Sequence, residues 1–445
     1  MHVPTDSDRA LSGDIASWAM DRLADRSATF PPLSAPAQLP EIIESGIGTA
    51  SAWKLLRDEV LTTALPTDNP RYLAFVAGAP SVAAVLADMA LSASAIYAGS
   101  ALEGGAVVAA ERAALRWLAD LAGMPAEAHG AFVSGGSIAN LSALVAARHR
   151  AQAQRDVQPG RILAGAGAHT SVAAAARIMG CQQTTISART ERFDGDALTE
   201  ALRRLDPADV VAVVAAAGAT NDGHVDDLAS LSRVCRAHDL WLHVDAAFGG
   251  GALMSRRYRH LFDGLSEADS ITIDPHKWFF TPFECGAVLY RDPRSAREAH
   301  AQSAPYLDPV NAEGWDNPAD YAVHLSRRAR GLPLWMALVA EGTDAFRDAV
   351  EMCLDMADYA ASQVQASPVL ELVGTPSLSV VLFRREGWTY EQYRDWSERA
   401  RRSGLGLVTP TRVDGAVVLR LCFVNPLTAK ADVDAVLDDV AGDLR

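Results

Sequence analysis

Ser134, Gly135, Gly136 and Ser137 follow the apolar run GAFV and open a stretch of helical periodicity, SIANLSALVAARHRAQ. Free backbone N–H groups at a helix start, exposed by glycine and joined by a hydroxyl, suit an anion such as a phosphate, although such turns also serve as plain helix caps. His169, followed by Thr170 and Ser171, opens the next helical stretch. A neutral imidazole there can stack on a flat ring, move a proton, or only bond locally. Thr220 comes after DVVAVVAAAG, and Asp226 and Asp227 beyond it read as cap and helix-dipole partners. Asp245 ends the apolar run LWLHVD. A carboxylate so placed needs a partner, a cationic ligand group or a structural arginine, and the small Ala246, Ala247 and glycines after it leave room for something planar. Lys277 stands in SITIDPHKWFF between His276 and Trp278. In apolar surroundings its ammonium is disfavoured, and the amine that results forms Schiff bases with aldehydes.

A phosphate cradle, a ring-stacking histidine, a carboxylate for a heterocyclic nitrogen and a Schiff-base lysine together match pyridoxal 5′-phosphate, whose phosphate, ring face, pyridine nitrogen and aldehyde each find a partner. A Rossmann-type nucleotide enzyme would account for SGGSIAN, but the spaced GxGxxG turn is missing and Lys277 is left without a role. A non-catalytic protein on the same scaffold leaves the lysine, aspartate and histidine unexplained.

These side chains need a frame. From about residue 104 to 290 short apolar runs (GAFVSG, RILAGA, DVVAVVAAAG, LWLHVDAA, SITID) alternate with helix-like stretches, the pattern of an α/β domain with a mainly parallel sheet. Ligands of such sheets sit at the carboxyl ends of the strands, where the candidate residues fall. Leu11, Ile15, Trp18, Ala19 and Leu23 make one apolar helix face, to be covered by its own domain or by a second subunit, and a second helical stretch is expected near 41–63, beyond FPPLSAPAQLP. Residues 302–320 have no hydrophobic period and read as a surface loop long enough to be a lid. A long helical region follows, and then strands and helices alternate in a small α+β unit. The expected division is 1–64, an N-terminal helical segment, 65–335, the large domain, and 336–445, the C-terminal domain.

The composition excludes several partners. With 445 residues, a formal charge of −15 and no basic block, the chain offers no nucleic-acid surface, and a small molecule is the expected ligand. The five cysteines are scattered, without CxxC, which suits a reducing compartment, the cytoplasm, and gives no metal site. The first residues show no charged start followed by an apolar core, and no apolar stretch is long enough to span a membrane.

In NPRYLAFVAGAPS, SGGSIAN, AHTSV, HVDAAFGG, DPHKWFFTPFECGAVLYRD and LSRRARGLPLW the chain resembles the pyridoxal-phosphate group II amino-acid decarboxylases, the family of aromatic-L-amino-acid and glutamate decarboxylases. The resemblance covers residue 65 into the C-terminal domain and implies a fold-type-I transferase with a mainly parallel seven-stranded sheet and a homodimer with sites at its interface. It also implies decarboxylation of an L-amino acid, aromatic or related, to the amine and CO2. By motif, Lys277 would bind the cofactor aldehyde, Gly135, Gly136 and Ser137 its phosphate, and Asp245 its pyridine nitrogen. His169 and Ala247 would cover the two ring faces, and His276 would flank the cofactor. Thr220 would be a further contact, although Ala219 replaces the family's first threonine there. Tyr306, in SAPYLDP, matches the loop tyrosine that protonates the substrate's Cα. Relatives that form aldehydes by oxidative deamination typically replace that tyrosine or the stacking histidine; here both are present. Gly78 and Ala79 stand where the family often has larger or hydroxyl-bearing residues, and the one arginine near that stretch is Arg71.

Overall fold

The computed structural model describes residues 3–27, 30–31, 39, 41–42, 44–155, 160–188, 192–311 and 316–442. Its centre is a seven-stranded sheet of β1 (His129–Val133), β2 (Arg161–Gly165), β3 (Gln182–Ile186), β4 (Val210–Ala216), β5 (Trp241–Asp245), β6 (Ser270–Ile273) and β7 (Gly286–Tyr290), in the order β1-β7-β6-β5-β4-β2-β3. Neighbours pair in parallel from β3 to β6, and β7 runs antiparallel to both β6 and β1. Every residue of β4 and β5 is buried, as expected of parallel strands covered on both faces. The helix Gly136–Arg155 lies close against the sheet because its inner face is nearly all small: Ala139, Ala143, Ala146 and Ala147 are at most 1% exposed.

Two strands were not anticipated. β3, with sequence QQTTI, is a half-exposed edge strand and lacks an apolar run; β7 is fully buried and lies within the segment that also carries Lys277.

A second sheet of four antiparallel strands, ordered β10 (Thr409–Val413), β11 (Ala416–Cys422), β9 (Val380–Arg385) and β8 (Leu370–Leu372), forms the small C-terminal unit. It is reached through the helical stretch Leu332–Ala366, which breaks at Gly342 (φ 78°), and it packs with the helices Tyr390–Arg402 and Lys430–Ala441. At the other end of the chain the helix Asp6–Ala24 starts with a capping box between Thr5 and Asp8. Of its apolar face only Leu11 is buried; Trp18 meets Trp53 edge-on at 5.3 Å, and Arg22 ties the helix to Asp68 at 2.5 Å. The second helical stretch is shorter than expected, Thr49–Leu55 prolonged by tighter and wider turns to Thr63. Parts of FPPLSAPAQLP and of the 302–320 loop lie outside the described residues. No helix among the described residues is long and apolar enough to cross a membrane.

Candidate active site

The carboxyl ends of the parallel strands and the turns after them enclose a cavity of about 340 Å³, within the range of small-ligand sites. Ser134, Gly135, Gly136, Ser137, His169, Thr220, Asp245, Ala247, His276 and Lys277 all line it. Residues far apart in the chain converge here because each follows a strand of one sheet.

At the phosphate-type cradle the backbone comes so close to its neighbours that side chains are excluded. A Cβ on Gly136 would stand 2.9 Å from Asp274 Oδ2, and one on Gly135 would stand 3.3 Å from His276 Cε1. Lys277 sits on the single helical turn Pro275–Trp278 after β6. The expected apolar surroundings are not found there: its Nζ lies 3.2 Å from Asp274 Oδ2. Asp274 is 2% exposed, and its other oxygen is buried with no hydrogen-bond partner among the described residues, so the carboxylate beside Lys277 has unused accepting capacity. Burial holds His276 below the ordinary imidazole range, and Lys277 adds to the effect; its Nδ1 is fixed 2.7 Å from the Cys285 carbonyl. Trp278 is fully buried and stacks on Phe248 at 5.2 Å, so it supports the site from the core.

Asp245 has no arginine partner among the described residues. Its Oδ2 accepts from Asn140 Nδ2 at 2.7 Å and its Oδ1 from Ala247 N at 3.1 Å. Asn140 Oδ1 in turn faces His243 Nε2 at 3.0 Å, and His243 Nδ1 faces Ser270 Oγ at 2.8 Å. Burial lowers His243 to about 4 against the opposing pull of Asp245, so the imidazole is neutral. His169 caps the helix Thr170–Met179 by accepting from Ser171 N at 3.2 Å, which anchors its ring through Nδ1.

Several lining positions were not anticipated. Asn140, Asp274 and Glu284 line the cavity. Asp226 does not cap a helix, a role that falls to Asp227; its two oxygens accept from Phe193 N and Ala216 N. Arg420 on β11 donates to the carbonyls of Asn221 (3.1 Å) and Phe75 (3.0 Å), and its Nη2 is buried with no hydrogen-bond partner among the described residues. Arg71, by contrast, is engaged with Asp432 at 3.6 Å. Tyr306 does not join the cavity. It lies in the turn Pro305–Leu307, 73% exposed, and borders a separate cavity with Tyr97, Glu103 and Asn311. The arginines after the loop are all paired: Arg327 is buried in a bidentate pair with Glu111, both bonds 2.6 Å, while Arg328 and Arg330 pair with Asp88 and Glu284.

An N–H and hydroxyl cradle, an acceptor carboxylate fixed by an amide, and a lysine beside an under-used aspartate suit a group bearing a phosphate, a basic ring nitrogen and an aldehyde. Fold and site together define an enzyme that works through pyridoxal 5′-phosphate. Comparison with known proteins agrees. Residues 53–386 match the pyridoxal-dependent decarboxylase conserved domain. The chain is 33% identical over 420 residues to an L-2,4-diaminobutyrate decarboxylase of Rhizobium meliloti, covering 92% of this chain and 84% of that one. It is 30% identical over 408 residues to an aromatic-L-amino-acid decarboxylase of Bacillus atrophaeus, covering 88% and 85%. A crystal structure of Oryza sativa TDC with PLP and tryptamine superposes with a TM-score of 0.91 at 24% identity, over 98% of this chain and 97% of that one, which shows the shared fold. The chain belongs to the pyridoxal-dependent decarboxylase family and is a pyridoxal-phosphate-dependent amino-acid decarboxylase.

Proposed function

We propose that the substrate is an L-amino acid with an aromatic or related side chain, released as the amine and CO2, and that the enzyme acts as a homodimer in the cytoplasm. The observation that carries the assignment of roles is the convergence of Lys277, Asp245, His169 and the Gly135–Ser137 turn on one cavity. When bound, pyridoxal phosphate supplies an aldehyde to capture an amine and a protonated ring to accept the electron pair that CO2 leaves behind. Lys277 Nζ, held near Asp274, binds that aldehyde in the resting enzyme and releases product at the end. Asp245 keeps a proton on the ring nitrogen, since Asn140 fixes the carboxylate and supplies no competing cation. Gly135, Gly136 and Ser137 hold the phosphate, Thr220 and His276 flank the group, and His169 and Ala247 cover the ring.

The aromatic class is supported by the similarity to the aromatic-L-amino-acid decarboxylase of Bacillus atrophaeus, and the similarity to an L-2,4-diaminobutyrate decarboxylase makes a diamino acid the alternative. Gly78 packs directly on the backbone of Lys277: a Cβ there would stand 1.8 Å from the Lys277 carbonyl oxygen, so this position next to the lysine admits no side chain. Arg420, which ties Phe75 to Asn221 and whose buried Nη2 has no hydrogen-bond partner among the described residues, is the proposed cation for the substrate carboxylate. Tyr306 donates the proton to Cα. It borders a different cavity of its own chain, and we assign its action to the site of a second subunit, with the half-buried face of the helix Asp6–Ala24 supplying part of the dimer contact. The free cysteines fit a reducing compartment.

The test is release of CO2 and amine from phenylalanine, tyrosine, tryptophan, 2,4-diaminobutyrate, glutamate and cysteine sulfinate, with aldehyde and peroxide measured alongside. Amine from the aromatic acids is expected. Turnover confined to the diamino or acidic substrates overturns the substrate class, and aldehyde with peroxide overturns the non-oxidative outcome.

A further inference from the structure

His224 stands behind the wall of the cavity, where three turns meet. Its ring packs on Gly167 so tightly that a Cβ there would lie 2.4 Å from His224 Cε1. Its carbonyl accepts from Gly218 N at 3.0 Å and from Ala219 N at 2.8 Å. Its Nδ1 lies 2.8 Å from Asp222 Oδ1, and its Nε2 lies 3.3 Å from Asp226 Oδ1. Asp226 is itself held, 3% exposed, by Phe193 N and Ala216 N at 2.8 and 2.7 Å. Gly167 and Ala219 line the catalytic cavity beside His169 and Thr220, and they also line a neighbouring cavity with Asp222, His224, Arg412 and Asp414. The ring therefore forms the partition on which both cofactor-facing turns rest.

We propose that His224 is a positioning residue: clamped between Asp222 and Asp226, it sets how far the Gly167–His169 turn reaches into the cavity, and with it the seat of the His169 ring on the cofactor. This rests on His169 covering the ring. Burial works against a charge on His224, but its hydrogen bonds to the two carboxylates outweigh that and hold it up to about 9. Asp222 and Asp226 are the charges bonded to it, and Arg412 and Asp414 face it across the neighbouring cavity. A folded value above the unfolded one of about 6.5 means that the clamp is complete below pH ~6.5 and is lost as pH rises through about 9.

The experiment compares wild-type holoenzyme with His224→Gln, His224→Ser and Gly167→Ala by cofactor dissociation constant, visible circular dichroism of the bound cofactor, and separate kcat and KM. Substitution of His224 is expected to weaken cofactor binding about three- to tenfold, to change the dichroic band and to lower kcat with KM nearly constant. Gly167→Ala should be severe alone and less so combined with His224→Ser, which opens the space the new Cβ needs. Cofactor affinity of the wild type should fall toward pH 9 and that of His224→Gln should not. Should His224→Ser fail to fold, the pH limb of wild type against Asp222→Asn carries the same test. Variants with unchanged affinity, dichroism and alkaline limb, in a wild type that binds cofactor normally, overturn this inference alone; a wild type that binds no pyridoxal phosphate overturns the functional reading with it.

Discussion

Asn140 Nδ2 donates to Asp245 Oδ2 at 2.7 Å, and this bond gives direction to a buried chain of polar groups. A carboxylate only accepts, so the amide must present its Oδ1 to His243, 3.0 Å away. The neutral imidazole then donates through Nε2 and accepts from Ser270 through Nδ1, while Ser270 Oγ accepts from the indole of Trp241 at 2.8 Å. Asp245 is thus aimed at the cavity from a network that extends to the far end of its own strand.

Asn140→Ala removes the side-chain donor to Asp245 and strands His243. Leaving a buried charged acceptor short of a bond costs about 1–3 kcal/mol, so cofactor affinity should fall about tenfold or more. Asn140→Asp, which sets a second carboxylate beside the first, should be worse. Equilibrium dialysis of pyridoxal phosphate against both variants checks the order; equal affinity of Asn140→Ala and wild type contradicts the network.

Hybrid dimers separate the two cavities. Lys277→Ala and Tyr306→Phe homodimers should each be inactive in amine release, but co-expressed chains should regain activity, because a mixed dimer holds one intact site if Tyr306 serves the partner. Failure of differently tagged, co-purified hybrids to regain activity rejects the shared site.

Arg420→Lys keeps the charge and loses the fork. If Arg420 holds a substrate carboxylate, KM should rise about tenfold or more with little change in cofactor binding. An unchanged KM assigns the residue to holding Phe75 and Asn221 only.

The Glu111–Arg327 pair closes the end of the loop region on the helix Ala101–Leu121, with Arg327 also donating to the Ala98 carbonyl and Glu111 accepting from Gly331 N. Both side chains are essentially unexposed, 0% and 2%. Breaking such a pair from one side typically costs about 3–5 kcal/mol, so Arg327→Met and Glu111→Gln should each lower the melting temperature markedly, whereas the exposed pair Arg384–Glu371 should matter little. Calorimetry on these two variants and on Arg384→Met decides it.

The parallel core was legible because buried strands such as VVAVVAA are apolar throughout, and the site was legible because its residues follow those strands directly. β3 was not, since an edge strand of Gln and Thr buries one end only. Asn140 looked like an ordinary helical polar residue; its role depends on Asp245, 105 positions away. Asp274 was overlooked because its neighbour Lys277 was expected in apolar surroundings, yet a cation there needs a counter-charge. Arg327 pairs with a glutamate 216 positions earlier, a distance no local pattern spans. The motif placed Tyr306 in the site, while within one chain the structure places it on a separate cavity with Tyr97 and Glu103, a position that the loop sequence does not reveal.

The most direct measurement is borohydride reduction of the purified enzyme, followed by peptide mass mapping and an assay of amine release. The account predicts that the visible absorption of bound pyridoxal phosphate is bleached, that the reduced cofactor is found on Lys277, and that activity is lost in parallel. Label on another lysine, or a protein that binds no pyridoxal phosphate on reconstitution, would contradict it.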